Sequence, residues 1–263
     1  MKKAIGIYRE SVLAGKPSSD KRILDLTAEE LQKKGFEFSL IPADEFDIGM
    51  DADLIITMAR GKEINDLLKS KQENSDVFIV NDPSAIRFSF NRKGTCEKLE
   101  GLGANMPLTR FVAIGDLDIG LIAGKSILKP ANRHEFWFVI ENEDDLSKAK
   151  DEYLKEGIEE VIIQDFVEGQ HVKYYCIDET VILPDDIDFL EDMKRQLVEQ
   201  VLLSGSATGL KVFGGDFIVT DEKAYCLDTN DWPSFGSVSG ITQEESAVMI
   251  ANYIDIAYVH RQS

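Results

Sequence analysis

Cysteine and histidine are scarce in this sequence, and neither is spaced as metal-ligating residues usually are. Each occurs three times, at Cys96, Cys176, Cys226, His134, His171 and His260. This spacing argues against a zinc site and against a disulfide framework. Three dispersed thiols are typical of a reducing compartment, so the sequence predicts a cytoplasmic protein.

Long apolar runs and an excess of positive charge are also missing. No stretch approaches the ~20 apolar residues that a membrane-spanning helix requires. The run Ala4–Tyr8 is too short for the core of a signal peptide and predicts a first strand instead. The chain has 29 basic and 48 acidic residues, a formal charge of -19. A field of that sign repels nucleic acid and anionic membranes, so we expect neither as a partner.

Residues 1–90 alternate between strand and helix patterns. Strands are predicted at 4–8, 36–41, 53–58 and 77–80, with one helix ending near Gly35 and another at 61–71. Such alternation predicts an α/β lobe with a doubly wound parallel sheet. Ligands are expected at the carboxyl ends of its strands, which are followed by Arg9, Glu10, Arg60 and Asn81.

The rest of the chain divides into two further predicted lobes, 91–168 and 169–263. Strands are predicted at 107–112, 126–130, 136–140, 161–167, 172–177 and 180–183. Helices are predicted at 93–103, 143–156, 188–203 and 243–259.

A hairpin near the C-terminus is the most informative stretch, since two apolar strands flank the polar turn Asp221–Lys223. A three-residue loop would place Asp216 directly opposite Asp228. Asn230, two residues further on, shares that face because strand side chains alternate. Two opposed carboxylates weaken a hairpin, but a divalent cation such as Mg²⁺ turns them into a site. In so acidic a chain, a surface hairpin with scattered acids is an equal alternative, and a one-residue shift in register would separate the two aspartates.

The hairpin and the residues before it resemble the ATP-grasp superfamily, which includes D-alanine–D-alanine ligase, glutathione synthetase and RimK-type glutamate ligases. The segments 215–218 and 227–233, GDFI and LDTNDWP, are similar to the family pattern G-x-D-φ-φ…φ-E-φ-N-x-x-P, where φ is apolar. Lys129 at a strand end, a broken edge strand at 164–169 and Lys173 precede them in the family's order. The resemblance covers about 81–259 and implies a two-lobed grasp with antiparallel sheets after the small α/β lobe.

The resemblance implies roles for residues around a nucleotide. Asp216, Asp228 and Asn230 would hold Mg²⁺ or Mn²⁺ against the phosphates of ATP, although the family usually has glutamate at position 228. Lys129 and Lys93 would contact the phosphates, and Lys173 would lie near the γ-phosphate. These lysines would act as point charges on the phosphate oxygens.

The resemblance also implies an adenine hinge at Gln164, Asp165 and Val167, with His171 near the ribose. One departure concerns the phosphate lid, which is usually glycine-rich. Here residues 131–137 read ANRHEFW, without glycine. We expect the Arg133 guanidinium to replace amide donors in catalysis, and Trp137 to belong to the core of its lobe.

The activity implied by the resemblance is an ATP-dependent ligase. Such an enzyme joins a small-molecule carboxylate to an amine or thiol through an acyl phosphate, releasing ADP and phosphate. A small-molecule kinase and a nucleotide-binding protein with degenerate activity remain alternatives. The sequence does not determine whether the protein forms a homodimer, as members of the family often do.

Candidate substrate contacts are basic or hydroxylic residues predicted to face the grasp. On the first lobe and its junction they are Arg9, Ser18, Ser19, Arg60, Arg87 and Arg92, and Ser234 and Phe235 would close the other side. In so acidic a chain, these arginines indicate a carboxylate substrate. Surface salt bridges explain each of them equally well.

Overall fold

The first lobe contains a four-stranded parallel sheet, as predicted. The computed structural model describes residues 2–10, 19–132 and 136–262. Strands β1 (Lys2–Ile7), β2 (Phe36–Ile41), β3 (Leu54–Thr57) and β4 (Phe78–Val80) lie in the order β2-β1-β3-β4. All three strand pairs are parallel. Helix α1 (Ser19–Lys33) packs on one face of the sheet and α2 (Lys62–Asn74) on the other.

Two short helices, rather than the single predicted one, lead out of this lobe. Helix α3 (Pro83–Phe90) begins after Asp82, whose carboxylate accepts a hydrogen bond from the Ser84 amide at 2.8 Å. Helix α4 (Arg92–Gly101) begins after Asn91, which caps the Gly94 amide at 3.0 Å. These two caps satisfy amides at the helix starts, so the chain turns at Asn91 instead of continuing one helix.

The second lobe is an antiparallel sheet covered by one helix. Strands β5 (Thr109–Ala113), β6 (Ser126–Pro130), β7 (Phe138–Ile140) and β8 (Glu160–Asp165) lie in the order β5-β8-β6-β7, and short 3-10 turns occur at Ile114–Asp116 and Ile119–Leu121. Helix α5 (Glu143–Lys155) contributes Tyr153, whose ring lies 5.3 Å from Phe136 and 5.2 Å from Phe138.

The third lobe contains a second antiparallel sheet. Strands β9 (Gln170–Ile177), β10 (Thr180–Ile182), β11 (Val212–Val219) and β12 (Ala224–Asp231) lie in the order β10-β9-β11-β12. Helix α6 (Glu191–Thr208) covers one face, where Leu197 and Val201 pack with Phe213 and Phe217. It ends at Gly209, which has a φ of 78° that favours glycine.

The last helix returns to the first lobe. Helix α7 (Gln243–Gln262) buries Ile250 and Ile254 in the same cluster as Ile23 and Leu24 of α1. The chain therefore closes by packing its end against its beginning. In the described part of the chain, no helix combines the length and apolar character needed to cross a membrane.

Candidate functional site

The hairpin places Asp216 opposite Asp228, as predicted, but a bulge is needed to do so. Beyond the turn, Val219 pairs with Ala224 and Phe217 with Cys226. That register, if continued, would pair Asp216 with Leu227. The ladder shifts between Asp216 and Phe217, and Asp228 becomes the partner of Asp216. A bulge of this kind inserts one residue and re-aims a side chain.

Two glycines allow the strands to approach closely beside these aspartates. A Cβ atom on Gly215 would lie 2.0 Å from the Asp228 carbonyl oxygen, and one on Gly214 would lie 2.7 Å from the Tyr174 carbonyl oxygen. Neither spacing is tolerable for a side chain. The Gly-Gly pair therefore has a geometric function in bringing Asp216 next to its neighbours.

The two carboxylates have different partners. Asp216 Oδ1 lies 2.9 Å from both Lys173 Nζ and His171 Nε2, which come from β9. Asp228 Oδ2 accepts a hydrogen bond from Asn230 Nδ2 at 3.0 Å, and Asp228 Oδ1 accepts one from the Thr229 amide at 3.0 Å. The contact between Asp228 and Asn230 brings two of the three predicted ligands together.

These residues fit a hard divalent cation by their donor chemistry. Two carboxylates and an amide oxygen are ligands that Mg²⁺ prefers when phosphates complete its coordination. Within the described residues, no group of three or more His, Cys, Asp and Glu side chains forms a metal cluster. A lysine between the two aspartates would argue against the site. Lys173 instead comes from β9, on the side of β11 opposite to β12, so a cation at Asp216 would compete with it.

A cleft of about 530 Å³ lies between the second and third sheets. This volume is within the ~300–1,000 Å³ typical of ligand sites. Both aspartates line it, together with most of the residues predicted to bind a nucleotide: Lys129, Gln164, Asp165, Val167 and His171.

Lys129 is held at this cleft by the hinge residue Gln164. Its Nζ donates to Gln164 Oε1 at 2.9 Å, and Gln164 Nε2 donates in turn to Thr109 Oγ1 at 3.2 Å. Burial lowers the pKa of Lys129, and the Asp228 carboxylate opposes that shift. The Gln164 side chain thus positions the lysine in addition to lining the predicted base site.

Arg92, rather than Lys93, lines the cleft. Arg92 Nη1 donates to the Pro130 carbonyl oxygen at 2.9 Å, next to Lys129. Burial lowers the Arg92 pKa, and Asp228 is the nearby charge that opposes this shift most. Lys93 is half-exposed, 3.4 Å from Glu160 Oε1, and is not among the lining residues described.

The hinge strand presents a mixed surface to the cleft. Asp165 Oδ1 is ion-paired with Arg110 Nη2 at 2.9 Å, and Lys125 Nζ lies 4.3 Å from the centre of the exposed Phe166 ring. Val167 is partly buried and His171 is exposed. Phe166 lies within the predicted hinge segment and adds an aromatic surface, a role that was not predicted for it.

Trp137 lines the cleft, and its expected place in the lobe core was wrong. Its side chain is 59% exposed, whereas Phe136 and Phe138 pack on Tyr153. Alternation along residues 136–138 sends the central side chain to the other face. Arg133 of the predicted lid lies outside the described residues.

The predicted substrate residues separate into several environments. Arg9 and Arg60 are engaged with the end of β12, where Arg9 Nη2 donates to the Trp232 carbonyl oxygen at 3.0 Å and Arg60 Nε lies 2.7 Å from Asp231 Oδ1. Arg87 is ion-paired with Asp66 on the surface of α2. Ser18 lies outside the described residues.

The remaining predicted substrate residues connect α7 to the rest of the chain. Gln243 Nε2 donates to the Ser19 carbonyl oxygen at 3.0 Å and also to the Ser234 carbonyl oxygen. Phe235 is fully buried, with its ring 4.6 Å from Tyr175. Its expected position on a pocket wall was therefore wrong, because this ring packs in the core cluster that α1 and α7 also enter.

Comparisons with known proteins agree with this architecture. Neither a protein-family model nor a curated protein matches the sequence. A D-alanine–D-alanine ligase from Bacillus anthracis superimposes with a TM-score of 0.79 at 13% identity, over 100% of this chain and 99% of that one. The chain has the ATP-grasp fold. A RimK domain ATP-grasp protein from Sphaerobacter thermophilus matches with a TM-score of 0.76 at 16% identity, over 95% and 99% of the two chains.

The ATP complex of the Bacillus anthracis ligase is also similar, with a TM-score of 0.78, 13% identity and coverage of 100% of this chain and 99% of that one. In the ATP-grasp fold of the present chain, the second and third sheets enclose the cleft, and the first lobe approaches the end of β12.

Asp231 is the residue at this junction that the sequence prediction missed. It is 1% exposed and directly follows Asn230. The sequence contained a signal, since alternation places it on the face opposite Asn230.

Proposed function

We propose that this protein is an ATP- and Mg²⁺-dependent ligase that joins a small-molecule carboxylate to an amine or thiol through an acyl phosphate. One observation carries the proposal: Lys129, Arg92, Asp216 and Asp228 all line a single cleft in an ATP-grasp fold. Two cations and two carboxylates at one place provide both a phosphate site and a metal site.

The side chains of the cleft have distinct tasks in this proposal. Lys129 donates to phosphate oxygens as a partly buried point charge, and Arg92 offers a planar fork beside it. Lys173 leaves Asp216 and donates to the terminal phosphate. Mg²⁺ held by Asp216, Asp228 and Asn230 would neutralise phosphate charge.

The hinge and the predicted lid complete the proposed site. Backbone groups at Asp165 and Val167 bind the adenine edge, Phe166 and Trp137 offer aromatic surface beside it, and His171 contacts the ribose. Arg133 donates to the transferring phosphoryl group. No nucleophilic side chain is required, because the substrate carboxylate attacks the γ-phosphate and displaces ADP. The amine or thiol then attacks the acyl carbon and displaces phosphate.

A phosphate-release assay tests the proposal. The protein is incubated with Mg²⁺-ATP and a pool of amino and hydroxy acids, with and without an added amine. Amine-dependent release of phosphate supports ligation. If the assay instead yields a phosphorylated hydroxy acid and no free phosphate, the protein is a small-molecule kinase and not a ligase.

The glycine-free segment 131–137 favours one other candidate, a nucleotide-binding protein without ordinary turnover. Glycine lets backbone amides approach phosphates closely, and this segment offers none. Tight ATP binding with no release of phosphate under any of these conditions would support that candidate and contradict the ligase.

A further inference from the structure

The end of β12 is fixed by a buried ion pair with the first lobe. Asp231 is 1% exposed, and its Oδ1 lies 2.7 Å from Arg60 Nε. Arg60 Nη2 also donates to the Asp231 carbonyl oxygen at 3.0 Å. One guanidinium therefore contacts both the side chain and the backbone of the residue that follows Asn230.

The Asp231 carboxylate depends on this arginine. Among the described residues, neither Asp231 oxygen has a hydrogen-bond donor, so its charge is compensated by the ion pair with Arg60 and by the nearby Arg9 guanidinium. Breaking a buried pair from one side leaves an uncompensated charge, which is strongly unfavourable.

Arg60 is itself fixed in the first lobe. Its guanidinium carbon lies 5.1 Å from the centre of the Phe90 ring. Its amide and the Gly61 amide donate to Glu10 at 2.9 and 2.6 Å, at the start of α2. The arginine is therefore held in place at both ends.

Arg9 makes a second link to the same strand end. It is 9% exposed, its Nη2 donates to the Trp232 carbonyl oxygen at 3.0 Å, and its Nε lies 2.9 Å from Asp20 Oδ2. Arg9 follows β1 and Arg60 follows β3, two neighbouring parallel strands whose carboxyl ends meet at one edge of the sheet.

We propose that Arg60 and Arg9 are positioning residues for the metal site, acting through Asp231 and Trp232. By fixing the backbone at Asp231 and Trp232, the two residues that directly follow Asn230, they set where Asn230 and its hydrogen-bonded neighbour Asp228 present their oxygens. Their contacts support this role, because each guanidinium already contacts the end of β12, Arg60 through Nε and Nη2 and Arg9 through Nη2. The inference rests on the proposed metal-nucleotide site.

The contacts of Arg60 and Arg9 with Asp231 and Trp232 are called the clamp below. Two variants test it. Asp231→Asn removes the buried charge, and Arg60→Lys keeps the charge but loses the fork that reaches the carboxylate and the carbonyl together. Asp178→Asn is the matched control, since Asp178 and Lys211 form an exposed ion pair at 2.7 Å in the same sheet, whereas the Asp231 carboxylate is buried. Asparagine tolerates the φ of 55° at that position.

Two measurements are made on each protein. The first, measured by calorimetry, is the Mg²⁺ concentration at which binding of a non-hydrolysable ATP analogue is half-maximal. Both clamp variants are expected to raise it by about tenfold, the usual cost of losing a residue that orients a metal ligand. The second is hydrogen exchange of the 228–232 amides without nucleotide, which should accelerate in the clamp variants and not in Asp178→Asn.

The two measurements distinguish the possible failures. Unchanged exchange at 228–232 in a folded Arg60→Lys protein overturns the clamp. So does an unchanged Mg²⁺ midpoint, provided that the unsubstituted protein binds the nucleotide in a metal-dependent way. If the unsubstituted protein shows no metal-dependent binding, the proposed function fails instead, and the exchange experiment still decides whether the clamp holds the strand. If Asp231→Asn does not fold, Arg60→Lys decides both measurements.

Discussion

Two aspartates three residues apart on β12 occupy opposite environments. Asp228 lines the cleft and shares hydrogen bonds with Asn230 and the Thr229 amide. Asp231 is buried at the junction with the first lobe and paired with Arg60. The comparison shows that residue type alone does not indicate function: one carboxylate lines the cleft, and the other is buried in an ion pair with the first lobe.

The same contrast applies to the arginines. Arg9, Arg60, Arg87 and Arg92 had the same predicted role, but they have different surroundings. Arg92 lines the cleft beside Lys129. Arg9 and Arg60 hold a strand end, and Arg87 is paired with Asp66 on the surface. Substitutions in the cleft and substitutions at the junction with the first lobe should therefore have different effects, and these differences test the comparison.

The largest effect is expected for Asp228→Asn. Turnover should fall by about 10²–10³, the usual cost of removing a group that stabilises developing charge. Stability should be unchanged or higher, because the charge repulsion with Asp216 is relieved. Phosphate release and a thermal melt measure the two quantities. Unchanged turnover would show that Asp228 is not a metal ligand.

The second-largest effect is expected for Lys129→Ala. Losing a charge-assisted donor is worth about 1.5–3 kcal/mol, so ATP should bind about 10–100-fold more weakly. Calorimetric titration with the nucleotide measures this change, and Lys155→Ala, an exposed lysine on α5 paired with Glu152, is the control. Equal affinity in the two variants would move the phosphate site elsewhere.

Gly215→Ala tests the close approach of β11 to its neighbours. The added methyl would meet the Asp228 carbonyl oxygen at 2.0 Å, and forcing atoms into a packed region costs about 1–3 kcal/mol. Urea denaturation should show a lower free energy of unfolding. Gly101→Ala, where nothing lies within 4 Å, is the control and should not destabilise. Equal stabilities would contradict the tight hairpin.

The smallest effect is expected for substitutions of Arg92 and its neighbour Lys93, which should differ in how much they weaken nucleotide binding. Arg92→Lys keeps the charge but loses the fork, so we expect nucleotide affinity to fall severalfold, about 1 kcal/mol. Lys93→Ala should change affinity less, because that side chain is paired with Glu160. A larger loss from Lys93→Ala would restore the phosphate role that the family resemblance implies for Lys93.

Much of the fold could be predicted from the sequence, because local patterns determine it. Alternating strands and helices indicated the parallel sheet, and the apolar strands around Asp221–Lys223 indicated the hairpin. The bulge at Leu227 could not be predicted, since it depends on how β11 pairs with both of its neighbours. Helix α3 was missed, although Asp82, an aspartate, is a common type of helix cap.

The site was predictable in its residue types but not in its contacts. Asp216, Asp228 and Lys129 came from a linear pattern and line one cleft. The roles of Arg60 and Asp231 depend on a contact between residues 171 positions apart in the sequence, which no local pattern encodes. Trp137 and Phe235 were misplaced because both positions depend on tertiary packing.

The most direct test of the metal assignment compares Mg²⁺-dependent nucleotide binding by the unsubstituted protein and by Asp228→Asn. Calorimetric titration of an ATP analogue, with and without Mg²⁺, measures it. The metal should tighten binding to the unsubstituted protein and should not tighten binding to Asp228→Asn. Equal tightening in both proteins would contradict a metal site at Asp216, Asp228 and Asn230.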